Sequence, residues 1–338
     1  MADLATEAKL QADEPVLVGA SKLFHYLWTT AWKEAPGTVS ADADALHDMR
    51  VAIRRLRSAL QNFEGAKTEP VLNARLRREF ATERRDLSKL GDALGFVRDF
   101  DVLDEYLREY SKSKLNLKVA QSPGLATFQR HLQNERAQMF APMVKKINKA
   151  REDGALQERI ARWILSVPAA TAPAMTLSDA AHRILPTRLA EVQFYSEVLD
   201  DAQNIEGHHE LRKSLKRLRY TLEFFAPCWS EEVKVHIKTI SGLQDLLGEM
   251  NDRAVLQEVA EGVFHFHAPP TPTSSTRSDE DIEVETVKIK EPKTLPAPPD
   301  VMSFVKHGNS RKRYLLGRVR AQWNTLKTDG FLEKLASL

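Results

Sequence analysis

Two stretches of the chain line up cations at a spacing that folding alone does not require. In "HDMRVAIRRLR", His47, Arg50, Arg54 and Arg57 share one narrow sector of a helix, and His209, Arg212, Lys216 and Arg219 in "HELRKSLKRLR" repeat the pattern. Arg55, Lys213 and Arg217 widen the two rows sideways. A guanidinium offers a planar fork of donors and an ammonium a compact point charge, and both suit phosphate oxygens. Histidine adds a further donor once protonated. The chemistry expected of such rows is charge-assisted capture of an anion that itself carries a row of charges.

Like charges three and four residues apart weaken an isolated helix by roughly 0.2 to 0.5 kcal/mol per pair, so something must compensate them. Carboxylates on neighbouring helices could do so, and Glu79, Glu83, Asp86, Asp92, Asp99, Asp245 and Asp252 are available. A bound polyanion is the other compensator. Repetition of the whole row, histidine included, favours the polyanion.

The helices that carry the rows need a core to stand on. Met49, Ile53, Leu56, Leu60 and Phe63 lie opposite the first row, and Leu211, Leu215, Leu218, Leu222 and Phe225 lie opposite the second. A second echo aligns "LGDALGFVRDFDVL" with "LQDLLGEMNDRAVL", matching Asp99 to Asp252. A third sets Phe128, Arg130, His131, Arg136 and Asp153-Gly154 against Phe304, Lys306, His307, Lys312 and Asp329-Gly330. Three echoes in one order predict a tandem duplication of a four-helix unit. The expected fold is all-α: one domain over 1–338, made of a four-helix bundle at 14–166 and another at 176–338. A Pro-, Ser- and acid-rich insertion in the second copy, about 268–300, reads as a disordered loop, and only 281–290 has any strand character.

Composition sets the outer limits. The 338 residues are 42% hydrophobic and 28% charged, enough for a sizeable core. Net charge is only +2 against 49 Lys and Arg, so affinity for a polyanion must come from arrangement. One cysteine, Cys228, rules out an internal disulfide framework, and the acidic opening lacks the features of a secretory leader. No apolar run approaches the roughly 20 residues of a membrane span. These features point to a reducing compartment, cytoplasmic or nuclear, with no membrane partner; monomer and homodimer both fit.

The repeated His-x-x-Arg-x-x-x-(Arg/Lys)-Arg-Leu-Arg, each copy followed by a Leu-Gly segment ending in Asp, resembles the CHAD family, the conserved histidine α-helical domain. The likeness spans nearly the whole chain. It implies two four-helix bundles related by pseudo-twofold symmetry, with basic helices lining a groove or pore that binds inorganic polyphosphate without catalysis, and placement at polyphosphate granules. Carried over, the ligand-facing positions are His47, Arg50, Arg54, Arg57, His209, Arg212, Lys216 and Arg219. Arg55, Lys213, Arg217, Arg85, Lys238, Arg130, Arg136, Lys306 and Lys312 are secondary candidates. Asp99 and Asp252 are assigned to structure, as partners that orient basic side chains or as helix caps. The copies depart at Asn251, which stands opposite Arg98, and at Ala254, opposite Asp101.

Other readings are weaker. Asp44 and Glu206, each three residues before a motif histidine, imitate a di-iron ligand pair, but the arginines on that face would repel a dication. Both acids fit better in the first helical turn. His265 to His267 lack companions at ligand spacing, and "EVETVKIK" is an isolated echo of a triphosphate tunnel strand; no metal, cofactor or catalytic residue is expected. Nucleic-acid binding is the chief rival, although base stacking calls for aromatics among the cations, and only Tyr220 stands on that side. A scaffold that recruits acidic partners is the third reading.

Overall fold

The computed structural model describes residues 4–64, 74–115, 118–152, 175–265 and 295–338, with 154, 158 and 162 besides. Within them the fold is all-helical apart from one short strand pairing. Eight long helices are described: α1 (Val16–Lys33), α2 (Ala43–Glu64), α3 (Ala74–Tyr110), α4 (Pro123–Glu152), α5 (Leu177–Ser196), α6 (Ile205–Phe224), α7 (Val233–Val263) and α8 (Pro299–Thr328). Each of α1 to α3 packs on its successor, and so does each of α5 to α7. The helix ends keep the sequence offsets. Tyr110 and Val263, like Asp99 and Asp252, are 153 residues apart, and α8 starts and stops 176 residues after α4.

Local capping explains where these helices begin. Asp42 Oδ1 accepts from the amides of Asp44 (2.9 Å) and Ala45 (3.1 Å) ahead of α2. Asn204 Oδ1 accepts from Gly207 N (2.8 Å) at the start of α6. Thr176 and Asp179 form a reciprocal capping box on α5. Each satisfies amides that the first turn leaves without a partner. Asp44 and Glu206 do occupy first turns, where the helix dipole favours a carboxylate. Asp99 and Asp252 instead lie inside the unbroken helices α3 and α7, so neither is a cap.

The apolar faces do not sort into one core per half. The main core joins Phe24, Ile53, Leu60 and Phe63 to Leu215, Leu222 and Phe225, and the Phe63 and Phe225 rings meet at 5.3 Å across the two halves. A second, smaller core at the far end of the long helices mixes Leu103, Leu107 and Phe128 with Leu256 and Phe304. Burying each such side chain is worth about 1.5 to 3 kcal/mol, so the halves stabilise each other rather than standing as separate bundles. The boundary expected near 166–176 is therefore no boundary in the packing. Val16 N donates to Met175 O and Leu177 N to Glu14 O, both at 2.9 Å, which ties the starts of α1 and α5 together.

Two expected limits also move. The fold begins before residue 14, because Leu4, Ala5, Ala8 and Leu10 are buried in the main core. The insertion ends earlier than residue 300: Leu295–Pro296 pairs in parallel with Phe264–His265, and α8 follows. Asp300 Oδ2 then accepts from Ser122 Oγ (2.6 Å) and from the amides of Gly124 (3.0 Å) and Leu125 (3.1 Å), so it caps α4 from the other half. Residues 266–294, with the expected loop and the 281–290 segment, lie outside the described residues. Among the described residues no helix is long and apolar enough to cross a membrane.

Candidate functional site

The apolar faces of α2 and α6 turn into the main core, which leaves the two cationic rows to meet beside the α2–α6 contact. Arg54 Nε donates to Tyr220 Oη at 3.0 Å across the halves. Arg50 Nη2 lies 3.5 Å from Asp99 Oδ1 on α3. Burial holds the Arg50 guanidinium below the ordinary arginine range; Asp99 and Asp252 oppose this, while Arg54 and Arg212 add to it. Arg212 shows the same balance in mirror image, with burial first, Asp252 and Asp99 opposing, and Arg54 adding. Two arginines and two aspartates, one of each from either half, thus feel one another across the interface.

Lys216 is the least compensated member. Burial, followed by the charges of Arg54, Arg212, Arg57 and Arg217, pushes its ammonium well below the ordinary lysine range. No carboxylate is among these influences. Asp252 is raised by its own burial, against the pull of Arg212, a hydrogen bond with Asn251, and Arg50 and Arg253.

The histidines stand at the edge of the cluster. His47 is exposed and held below its ordinary value by burial and by Arg98, with Asp48 opposing and Arg54 and Arg50 adding. His209 is lowered by burial, Lys213 and Arg212; its Nδ1 lies 3.3 Å from Asn251 Oδ1, a contact that pulls the other way. The departure seen at Arg98 and Asn251 is thus a difference in what each histidine faces. Arg57 rests on bare backbone: a methyl at Gly91 would stand 3.4 Å from its Nη1, and one at Gly95 would stand 3.6 Å from Arg50 Nε.

The flanking cations, and Arg219 of the second row, are held by carboxylates absent from the sequence-based set. Arg55 and Arg219 each reach Glu223 at 3.4 Å and border the Tyr220 ring, with Arg219 5.0 Å and Arg55 5.9 Å from its centroid. Arg217 donates to Glu191 Oε2 at 2.8 Å, and Glu191 also takes Arg188 Nη1 at 2.8 Å. Lys213 pairs with Glu210 at 2.9 Å. Glu223 was detectable in principle, since it lies four residues beyond Arg219 on one helix. The Arg54–Tyr220 and Arg55–Glu223 contacts cross the halves and have no local signal.

Among the secondary candidates, Arg85 and Lys238 are exposed on α3 and α7. Arg136 pairs with Asp101 near the second core, Arg130 bonds Thr127 Oγ1 at 3.1 Å on its own helix, and Lys306 is exposed. Lys312 is half-buried beside His208. None of these last four is among the charges felt by Arg50, Arg212 or Lys216. Tyr220 is fully buried, so it offers no open face for a stacked base.

Comparison with known proteins places this geometry. Similarity extends to the uncharacterized protein Rv2226 of Mycobacterium tuberculosis (strain ATCC 25618 / H37Rv), 28% identical over 228 residues, or 65% of this chain and 40% of that one. The chain thus matches well under half the length of that curated relative. Two solved structures share the fold. The crystal structure of the CHAD domain from the plant Ricinus communis superposes with a TM-score of 0.59 at 19% identity, over 97% of this chain and 92% of that one. PptA from Streptomyces chartreusis gives 0.59 at 13% identity, over 93% and 100%. The CHAD domain description matches residues 24–261, and the chain belongs to the CHAD domain family.

Proposed function

We propose that the α2 and α6 rows form one basic groove for inorganic polyphosphate, in a non-enzymatic binding module built by tandem duplication. The observation that carries this reading is Lys216, half-buried beside Arg54, Arg57, Arg212 and Arg217, whose charges together with burial hold its ammonium well below the ordinary lysine range. Burial of an uncompensated charge is costly, and a cluster kept in that state is stable when an anion completes it. A chain of bare phosphates supplies charge at every unit and needs no stacking surface. The retained helix offsets and the left-handed glycines that match in the two copies, Gly154 (φ 55°) and Gly330 (φ 66°), support the duplication. The reading includes a reducing intracellular compartment, with polyphosphate granules as the destination.

Sequence-independent nucleic-acid binding is the competing function, and the test sets the two side by side. Long polyphosphate, short polyphosphate and single-stranded DNA of matched charge are titrated against the full chain at several salt concentrations. The expected result is preference for long polyphosphate, with a slope of log affinity against log salt on the order of −5 for about eight cationic contacts. Preference for the DNA would transfer the site to the rival function, and salt-insensitive binding would remove the phosphate-row mechanism.

A further inference from the structure

A second group of basic side chains lies away from the groove, at two positions where the first half is apolar and one where its arginine is paired. His208, on α6, is 4% exposed and takes the place held in α2 by Leu46, which is 1% exposed. Arg320, on α8, takes the place of Val144 on α4, and Lys312 that of Arg136. Arg136 is neutralised by Asp101, but the second half has Ala254 at the matching position, and Lys312 has no ion-pair partner among the described residues. At two of the three positions the first half packs Leu and Val, and at the third it keeps the carboxylate that the second half lacks.

Their donors are incompletely used. Arg320 Nε donates to the Leu199 carbonyl, yet its Nη2 is buried without a partner, and so is Nε2 of His208. His208 makes a backbone hydrogen bond with Val198, so it and Arg320 grip the same short turn, Glu197–Asp200, and the imidazole feels both Arg320 and Lys312. Buried polar atoms in folded proteins almost always have partners, and these two leave a place for one further polar group. Arg320 also borders a surface pocket of about 150 Å³, which Asn324, Lys327, Glu197 and Asp200 line as well.

We propose that His208, Lys312 and Arg320 form a second anion site, for one free tetrahedral oxyanion of the phosphate type. Lys312 and Arg320 approach the imidazole from α8, and Asp201 from the turn; burial and the two cations hold His208 low, while Val198 and Asp201 pull the other way. An oxyanion at Nε2 requires the protonated ring and favours it. Occupancy therefore takes up a proton and tightens as the pH falls through the ordinary histidine value of 6.5.

The test follows the His208 ring by NMR in the full chain while inorganic phosphate, sulfate or chloride is added at constant ionic strength. Phosphate and sulfate should move the ring saturably toward its protonated position, and chloride should not. Arg320→Val, the residue of the first half, should weaken the response about tenfold, as loss of a charge-assisted hydrogen bond does. Affinity of Arg320→Val for long polyphosphate should stay at the wild-type value, which separates this site from the groove. Should Arg320→Val fold poorly, Lys312→Gln carries the same expectation. A ring that ignores phosphate, responds equally to chloride, or titrates unchanged in a folded variant would overturn the site.

Discussion

Arg50 and Arg212 hold matching positions in the two halves, each beside an aspartate from the next long helix, and from there the halves diverge. On the α2 side the row beyond His47 is all arginine, the Arg50 and Arg57 guanidiniums lie against Gly95 and Gly91 of α3, and Arg54 ends on a tyrosine hydroxyl. On the α6 side, Lys216 replaces Arg54, Gln244 replaces Gly91, and a methyl at Gly248, the counterpart of Gly95, would meet nothing within 4 Å. Tyr220 replaces Ser58 and Glu223 replaces Gln61, so the second half supplies both the hydroxyl that holds Arg54 and the carboxylate that holds Arg55. The second half thus holds two arginines of the first in place.

The comparison breaks most visibly under charge reversal. Arg50→Glu together with Arg212→Glu should lower polyphosphate affinity by about a hundredfold or more, read by calorimetry, because two attractive contacts become repulsive ones. Lys216→Gln and Arg54→Gln should then separate in sign. Each should cost about tenfold in affinity, but Lys216→Gln removes an uncompensated charge and should raise stability by on the order of 1 kcal/mol. Arg54→Gln strands the buried Tyr220 hydroxyl and should lower stability by a similar amount. Thermal melts of the free protein decide this.

The pH dependence should be of comparable size. His47 and His209 are both held below 6.5 in the free protein, so the unfolded chain binds more protons in that window. Their contribution to stability is therefore lost as the pH falls through it. A bound polyanion favours the protonated rings, so affinity should rise as the pH falls below 6.5, by up to about tenfold per unit for each proton taken up. Replacing both histidines with glutamine should flatten the profile. Tyr220→Phe should cost affinity only several-fold by loosening Arg54, with Ser58→Ala nearly silent. The smallest effect is Arg98→Asn, which gives His47 the neighbour that His209 has and should raise the His47 pKa, as seen by NMR, with little change in binding.

How much of this was legible from residues alone depends on the length scale of the signal. The rows and their register were, because spacing on one helix fixes which side chains share a face, and α2 and α6 keep those faces. Asp99 and Asp252 could be named as partners, although the capping role offered for them fails inside continuous helices. The shared core was not legible, since nothing in a repeat says whether its copies pack apart or into each other; Phe63 against Phe225 decides that. Glu191 and the Tyr220 hydroxyl escaped for a related reason. They act on side chains of another helix or of the other half, and periodicity records only neighbours on the same helix. Leu4 to Leu10 were hidden by the acids around them, and Asp300 by the prolines that precede it.

The central claim is that both rows meet one anion. Its most direct measurement is a double-mutant cycle by calorimetry with a short polyphosphate, using Arg50→Glu, Arg212→Glu and the pair, with stoichiometry fitted in each case. One chain per protein is expected, with single-variant losses that are strongly non-additive, because each variant disables the same site. Two chains per protein, with each variant removing one and leaving the other at full affinity, would contradict it.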